Sequence, residues 1–333
     1  MKVWKRSLPV WLLTLVMLLT ACGTPSQPDQ PDGTETWREA YEETGAYLQA
    51  QTAPTVGSIG GEWAVIGLSR AGLLSDKAAQ SYEITAEDYV KQADSGRLDR
   101  SKSTENSRTI LGLTAAGYDA SNVAGVDLTS GLSDMNYLRI QGLNGPIWAL
   151  IALDCHSYDI PQCAEGGEQT TREGLVAEIL TSQCSDGGWT LAGDTADVDM
   201  TAMALTALAA YKEDTEVKAA VDAALTYLSD AQQADGGFMS WGAANSESCA
   251  QVIVALTALG IDPAADSRFV KNGASPLDGL CAFACEGGGF RHSDEQMESD
   301  GMATEQGFYA LVAYDRFRQG QTRLFDMTDI EVK

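Results

Sequence analysis

Histidine is nearly missing from this chain of 333 residues, where His156 and His292 are the whole supply. So few imidazoles leave little from which to build a zinc site, and no metal or other cofactor is expected. Basic residues are scarce as well, with 22 Lys and Arg against 47 Asp and Glu, a formal net charge of −25. A surface of that sign repels nucleic acid and anionic lipid headgroups, so nucleic acid is excluded as a partner. Aromatic residues make up 8% of the chain, and two of the seven tryptophans, Trp4 and Trp11, fall in the first eleven residues. One long apolar run exists, over residues 9–18. It is too short to span a bilayer.

What is present begins with that run. Lys2, Lys5 and Arg6 precede it and Leu19-Thr20-Ala21-Cys22 closes it, the layout of a secretory signal peptide. The closing tetrapeptide resembles a bacterial lipobox, which implies cleavage before Cys22, a lipid on that cysteine, and an extracytoplasmic protein anchored to the cell membrane. Residues 23–36 are rich in Pro, Asp, Thr and Gly with almost nothing to bury, and read as a disordered tether. The expected division is therefore a signal peptide over 1–21, a tether over 22–36 and one folded domain over 37–333. Six cysteines remain in that domain, at 155, 163, 184, 249, 281 and 285. Export permits disulfides among them, with 15 connectivities open.

The domain is organised around residues 180–211. There Asp186-Gly187-Gly188-Trp189 makes a corner, and Asp197 and Asp199 open a nearly all-apolar helix. The pattern recurs. Gln183 lies six residues before Trp189 and Gln232 six before Phe238, Gly287-Gly288-Gly289-Phe290 follows, and the three aromatics are 49 and 52 residues apart. A period near 50 predicts repeated helical hairpins. After each corner comes a small-residue helix, as in Ala204-Leu205-Thr206-Ala207-Leu208 and Ala255-Leu256-Thr257-Ala258-Leu259, and three more such segments lie upstream, near residues 67–71, 112–116 and 149–153. With the one at 310–314 the count is six.

Two kinds of helix alternate. Val217, Ala220, Val221, Ala224, Leu225 and Leu228 form one apolar stripe with charge opposite, a helix that covers a core from outside. Residues 252–256 and 202–210 are apolar nearly all round and require neighbours on every side. Six one-faced helices around six all-faced ones predict an all-α, (α/α)6 toroid of two concentric rings. In such a ring the inner helices run parallel, so their N-termini and dipoles collect at one mouth. The sequence places Glu62, Asn106, Asn144, Asp197, Asp199, Asn245, Glu247 and Glu305 there, as caps or as ligand-binding groups.

Gln183-Cys184-Ser185-Asp186-Gly187-Gly188-Trp189 and Gln232-Gln233-Ala234-Asp235-Gly236-Gly237-Phe238 resemble the QW repeat of the squalene and terpene cyclases. Their superfamily also holds prenyltransferase β subunits and the cobalamin carriers. Asp197-Val198-Asp199-Met200 is similar to the Asp-x-Asp-Asp motif of class II cyclases, which implies Asp199 as proton donor and Asp197 as its partner, with Met200 replacing the last aspartate. The zinc ligands of prenyltransferases find only Glu247, Cys249 and His292 as counterparts. The resemblance implies an apolar, isoprenoid or corrinoid ligand. The expected function is a lipid-anchored toroid that binds an apolar or amphipathic ligand, or a partner, at the inner-helix mouth. The alternative is a terpene cyclase-like enzyme with Asp199 as general acid; an (α/α)6 glycoside hydrolase or lyase would need two positioned carboxylates, for which Asp197, Asp199, Glu247 and Glu305 are the candidates, and no motif supports it.

Overall fold

The computed structural model describes Met1 and residues 33–51, 54–93 and 96–333. The expected signal peptide, the lipidation site Cys22 and residues 22–32 of the expected tether lie outside the described residues. Among the described residues there are twelve α-helices: α1 Gly33–Ala50, α2 Glu62–Arg70, α3 Asp76–Lys91, α4 Ser103–Ala115, α5 Met135–Leu138, α6 Asn144–Asp154, α7 Arg172–Thr181, α8 Val198–Leu208, α9 Thr215–Ala231, α10 Ser246–Leu259, α11 Pro276–Cys281 and α12 Gly301–Arg318. The single sheet among the described residues is the hairpin of β1 Met239–Ser240 and β2 Ala243–Ala244. Helix α1 starts four residues before Trp37, inside the stretch read as tether, because extending a helix already nucleated by the buried Trp37 and Ala40 adds one hydrogen bond per residue fixed.

The even-numbered helices close a ring. α2 packs on α4, α4 on α6, α6 on α8, α8 on α10, α10 on α12, and α12 returns to α2. Outside it, α1 lies against α12 and α2, α3 against α4, α7 against α6, α9 against α8, and α11 against α10. The sixth outer element is broken into a 3-10 turn at Leu128–Leu132, the single turn α5 and a second 3-10 turn at Arg139–Gln141. Its sequence explains the break. Asp127 and Asp134 each accept a backbone N–H two residues on, from Thr129 at 2.9 Å and Asn136 at 3.1 Å, so local side-chain bonds restart the chain twice where a longer helix would run.

Burial follows the two patterns in the sequence. On α9 the buried residues are Val217, Ala220, Val221, Ala224, Leu225 and Leu228, the predicted stripe. Each buried Val or Leu on it contributes about 1.5–3 kcal/mol, enough for the four of them to hold a cover in place. On α10 only Glu247 and Ala258 keep partial exposure. An inner helix has neighbours on every side.

The repeated corner is a staple between successive hairpins. The Gln183 side chain donates to the Gly187 carbonyl at 2.7 Å and to the Ala220 carbonyl at 2.9 Å. Gln232 does the same one repeat on, to Gly236 at 3.1 Å and Phe269 at 2.8 Å. Gly187 (φ +95°) and Gly236 (φ +86°) are left-handed, and a Cβ on Gly236 would stand 2.0 Å from the Ser275 carbonyl oxygen. At the third corner no glutamine precedes the glycines. Thr44 of α1 supplies the bond instead, accepting from the Gly289 N–H at 3.1 Å, which closes the last hairpin onto the first.

The far end of the ring, where the inner helices terminate, is crossed by residues 319–333. Arg70 at the end of α2 is buried there and donates to Asp329 at 2.7 Å, Thr322 at 2.7 Å and the Asp326 carbonyl at 2.8 Å, while Arg316 reaches the other Asp329 oxygen at 2.8 Å. The Met327 N–H donates to the Cys155 carbonyl at 2.7 Å. Between these anchors Phe325 inserts its ring against Trp148 and Tyr309, at 5.8 and 6.2 Å between centroids. This end is sealed. All six described cysteines are free thiols, Cys155 and Cys249 buried.

Candidate functional site

Because the inner helices are parallel, the segments that enter them meet at the opposite end. Three open on side-chain caps. Asp197 accepts the Met200 N–H at 2.9 Å, Asn245 that of Ser248 at 2.8 Å, and Asp300 that of Ala303 at 3.0 Å. Asp300 was not singled out in the sequence, although Asp followed by an apolar helix is the same signal as Asp197.

The other predicted residues divide into engaged and unengaged groups. Glu62 is fully buried and accepts from Arg108 Nε at 2.8 Å, Tyr82 Oη at 3.0 Å and the Gly57 N–H at 3.0 Å, tying α2 to α3 and α4. Burial raises its pKa and Arg108 opposes that. Asn106, also fully buried, accepts the Leu98 N–H at 2.9 Å and donates to the Gly96 and Leu128 carbonyls. These two hold structure together. Glu247 faces His292 Nδ1 at 2.8 and 2.9 Å and accepts from Ser246 Oγ at 2.9 Å.

Three mouth residues keep a buried acceptor with no hydrogen-bond partner: Asn144 Oδ1, Asp199 Oδ1 and Glu305 Oε2. A buried polar atom left unpaired costs about 1–3 kcal/mol. The Glu305 carboxyl accepts the Gly60 N–H at 2.6 Å, and burial lifts it to about 7 against the backbone N–H groups of Gly60 and Ala64. Asp197 is raised by burial too, with the Asp199 charge adding and the Met200 N–H opposing.

Beneath the mouth lies an aromatic floor. Trp63 of α2 contacts Trp148 of α6 at 5.1 Å between centroids, although α2 and α6 are not neighbours in the ring. The contact therefore crosses the lumen. Tyr309 of α12 joins it at 6.1 Å from Trp63, receives a hydrogen bond from Gln251 at 2.7 Å, and meets Phe325 from below. Burial raises the Tyr309 phenol, the Gln251 hydrogen bond opposes, and the charges of Glu247, Asp199 and Glu305 push it the same way as burial. The prenyltransferase-like zinc set does not assemble: Cys249 is fully buried with its thiol pushed up to about 12 by burial, and no group of three metal-ligating side chains occurs among the described residues.

Around the rim stands a feature the sequence reading missed. Apart from Met1, the exposed large apolar side chains among the described residues are Ile59, Ile84, Ile140, Leu191, Met239, Trp241 and Met297. All but Ile84 lie in segments entering inner helices, before α2, α6, α8, α10 and α12. They ring the mouth. Trp241 and Met297 are the extremes, at 88% and 91% exposure. Trp241 with Gly242 makes the two-residue turn of the β1–β2 hairpin, both with positive φ (+52° and +84°), a turn that favours Asn-Gly. A tryptophan held there against its backbone preference was the available signal.

Fold and mouth together define an α/α toroid, and comparison with solved structures agrees. The type II terpene cyclase MstE from Scytonema, in complex with merosterolic acid A, superposes with a TM-score of 0.56 at 12% identity, over 86% of this chain and 98% of that one. A glycosyl hydrolase of family 88 from Bacteroides vulgatus gives 0.50 at 13% identity, over 86% and 99%. The ent-copalyl diphosphate synthase from Streptomyces platensis gives 0.49 at 16%, over 76% of this chain and 49% of that one. At such identities the likeness is one of fold, shared by a cyclase and a hydrolase. No family model matches the sequence, and no curated protein does.

Proposed function

We propose that this protein is a lipid-anchored, extracytoplasmic toroid whose inner-helix mouth binds an apolar or amphipathic ligand, isoprenoid or corrinoid in class, without transforming it. The ring of exposed apolar side chains around the mouth carries this reading, because exposed apolar groups gathered at one place mark a surface meant to be covered. Trp241 alone would offer about 150–250 Å² of contact. The filled lumen supports binding over catalysis: Trp63, Trp148, Tyr309 and Phe325 occupy the space where a cyclising substrate would have to fold. Membrane anchoring rests on the Leu-Thr-Ala-Cys22 sequence.

One observation favours the second reading, a cyclase-like enzyme. Asp199 stands where the proton donor of the Asp-x-Asp-Asp motif stands, and its Oδ1 is buried and unpartnered. A strong acid, however, needs a neighbour that keeps its carboxyl protonated, and the third acidic position is Met200. The test has two arms. Mass spectrometry of what co-purifies with the wild-type chain should find an apolar ligand that Leu191→Ser/Trp241→Ser/Met297→Ser loses. Incubation with squalene and with geranylgeranyl diphosphate should give no cyclic product; turnover by the wild type that vanishes in Asp199→Asn would establish the enzyme instead.

A further inference from the structure

Each of the three repeat corners leads into a loop at the mouth: residues 190–196 before α8, the β1–β2 hairpin before α10, and residues 291–299 before α12. An antiparallel bridge pins the base of each, Trp189 with Asp197, Met239 with Ala244, and Phe290 with Asp300. The second and third are tied together, since the Ser246 N–H donates to the His292 carbonyl at 3.1 Å and His292 Nδ1 meets Glu247 at 2.8 Å. The loops are held in place.

Their tips share one chemistry. Leu191, Met239, Trp241 and Met297 present exposed apolar side chains, and on the first and third loops Asp194, Glu295 and Glu298 are exposed beside them in sequence. None of these three acids forms an ion pair among the described residues, whereas Arg291 of the third loop is taken by Asp294 at 3.0 Å. The other basic residues near the mouth, Arg97, Arg100 and Lys102, precede α4, which lies across the ring from α10.

Size narrows the occupant. Trp63 and Trp148 touch across the lumen below, so a long ligand has to lie over the loops. Helices α8, α10 and α12 are successive in the ring, and at about 8–10 Å between neighbouring axes their entrances span about 16–20 Å. A helix of about three to four turns has that length. The apolar tips call for an apolar stripe on it, and three unpaired acids on a chain of net charge −25 call for cations beside the stripe.

We infer that the α8–α10–α12 side of the mouth binds a cationic amphipathic helix, its apolar stripe on Met239, Trp241 and Met297 and its Lys or Arg side chains beside Asp194, Glu295 and Glu298. Exposed methionine suits such a partner, because an unbranched, polarisable side chain repacks against helices of different sequence. The inference rests on the rim being a binding surface, as proposed above, and adds the acids, for which a neutral apolar ligand has no use.

The test uses a tryptophan-free leucine–lysine amphipathic peptide of about 14 residues, about 21 Å long as a helix, with a leucine–glutamate peptide of the same pattern as control. Trp241 reports the contact, because the other tryptophans of the expected mature chain, Trp37, Trp63, Trp148 and Trp189, are buried. Its emission should shift to the blue and become shielded from acrylamide with the lysine peptide, and the glutamate peptide should not bind. In calorimetry Asp194→Asn/Glu295→Gln/Glu298→Gln should weaken the lysine peptide about tenfold, the scale of three exposed charge pairs, and should keep the co-purifying apolar ligand. Met239→Ser/Trp241→Ser/Met297→Ser should weaken the peptide about 30-fold or more, as loss of an aromatic anchor does. Equal binding of the two peptides, or lysine-peptide binding unmoved in either variant, would overturn the inference and leave the apolar-ligand reading standing. Peptide binding by a chain that yields no apolar ligand would uphold it and sink that reading. A blue shift on phosphatidylcholine vesicles with none on the peptide would give the loops to a bilayer and overturn it as well.

Discussion

Replacing Gln232 by Met tests whether the corner glutamine is what joins one hairpin to the next. The side chain is 7% exposed, and its amide donates to two carbonyls that have no other described partner, that of Gly236 and that of Phe269, 37 residues beyond Gln232. Methionine fills a similar volume, so little cavity cost arises. Two net hydrogen bonds at about 0.5–1.5 kcal/mol each are lost, and carbonyls that water cannot reach add about 1–3 kcal/mol. Against this, Gln232 Oε1 is itself buried without a partner, and removing it returns about 1 kcal/mol. The balance is a loss of about 1–5 kcal/mol. Gln183 makes the matching pair of bonds from a half-buried position, where water can replace the amide, so Gln183→Met should cost about 1–2 kcal/mol. Urea unfolding followed by far-ultraviolet circular dichroism measures both. If Gln232→Met lay within about 0.5 kcal/mol of wild type, or if Gln183→Met proved the more damaging, the staple would not be what holds the repeats in register.

Two further outcomes follow from the same geometry. Gly236→Ala should cost more than about 2 kcal/mol, because its φ of +86° is unfavourable for alanine and its Cβ would meet the Ser275 carbonyl, whereas Gly242→Ala, with φ +84° and nothing within 4 Å, should cost about 1 kcal/mol; the same urea titration separates strain from clash. Stability should also fall with pH across the neutral range. A carboxyl lifted to about 7 in the folded protein binds its proton more tightly there than in the unfolded chain, where its value is 4.5, so Glu305 contributes fully below 4.5 and the contribution is lost as pH rises through about 7. The fall amounts to at most about 3 kcal/mol, and Glu305→Gln should flatten most of it in unfolding measurements at pH 5 and 8. Glu62 and Asp197, raised in the same sense, leave a residual slope.

The sequence was most legible where burial is periodic. The α9 stripe and the all-round apolar α10 announce outer and inner helices because each side chain's environment is set by its own helix face. The corners were legible for a similar reason, since left-handed glycines and a glutamine six residues before an aromatic are local requirements. The broken outer element at residues 128–141 was less so, because Asp127 and Asp134 compete with helix hydrogen bonds only two residues away, below the scale of the repeat. Among the site residues, residue type at a helix start could not separate Glu62, engaged by Arg108, from Glu305, whose opposing groups are backbone N–H groups. That difference depends on what other helices bring. The apolar rim and the Phe325 plug were hidden for the same reason: an isolated Leu191 or Phe325 in a polar segment has no period, and its meaning comes from the ring closing around it.

The plug also bears on which chemistry the scaffold can host. A cyclising site needs an acid and, below it, a chamber in which a long apolar chain folds. Here the carboxylates are present at the top, but Trp63 and Trp148 touch across the lumen and Phe325 reaches up to both Trp148 and Tyr309 from the sealed end. Phe325 is held by the segment on either side of it, through Thr322 on Arg70 and Arg316 and through Asp329 on the same two arginines. Both arginines are buried, at 5% and 6% exposure, so withdrawing the plug would strand two buried cations. The lumen is therefore closed by a contact whose release is costly, and what stays exposed at the mouth is the apolar rim.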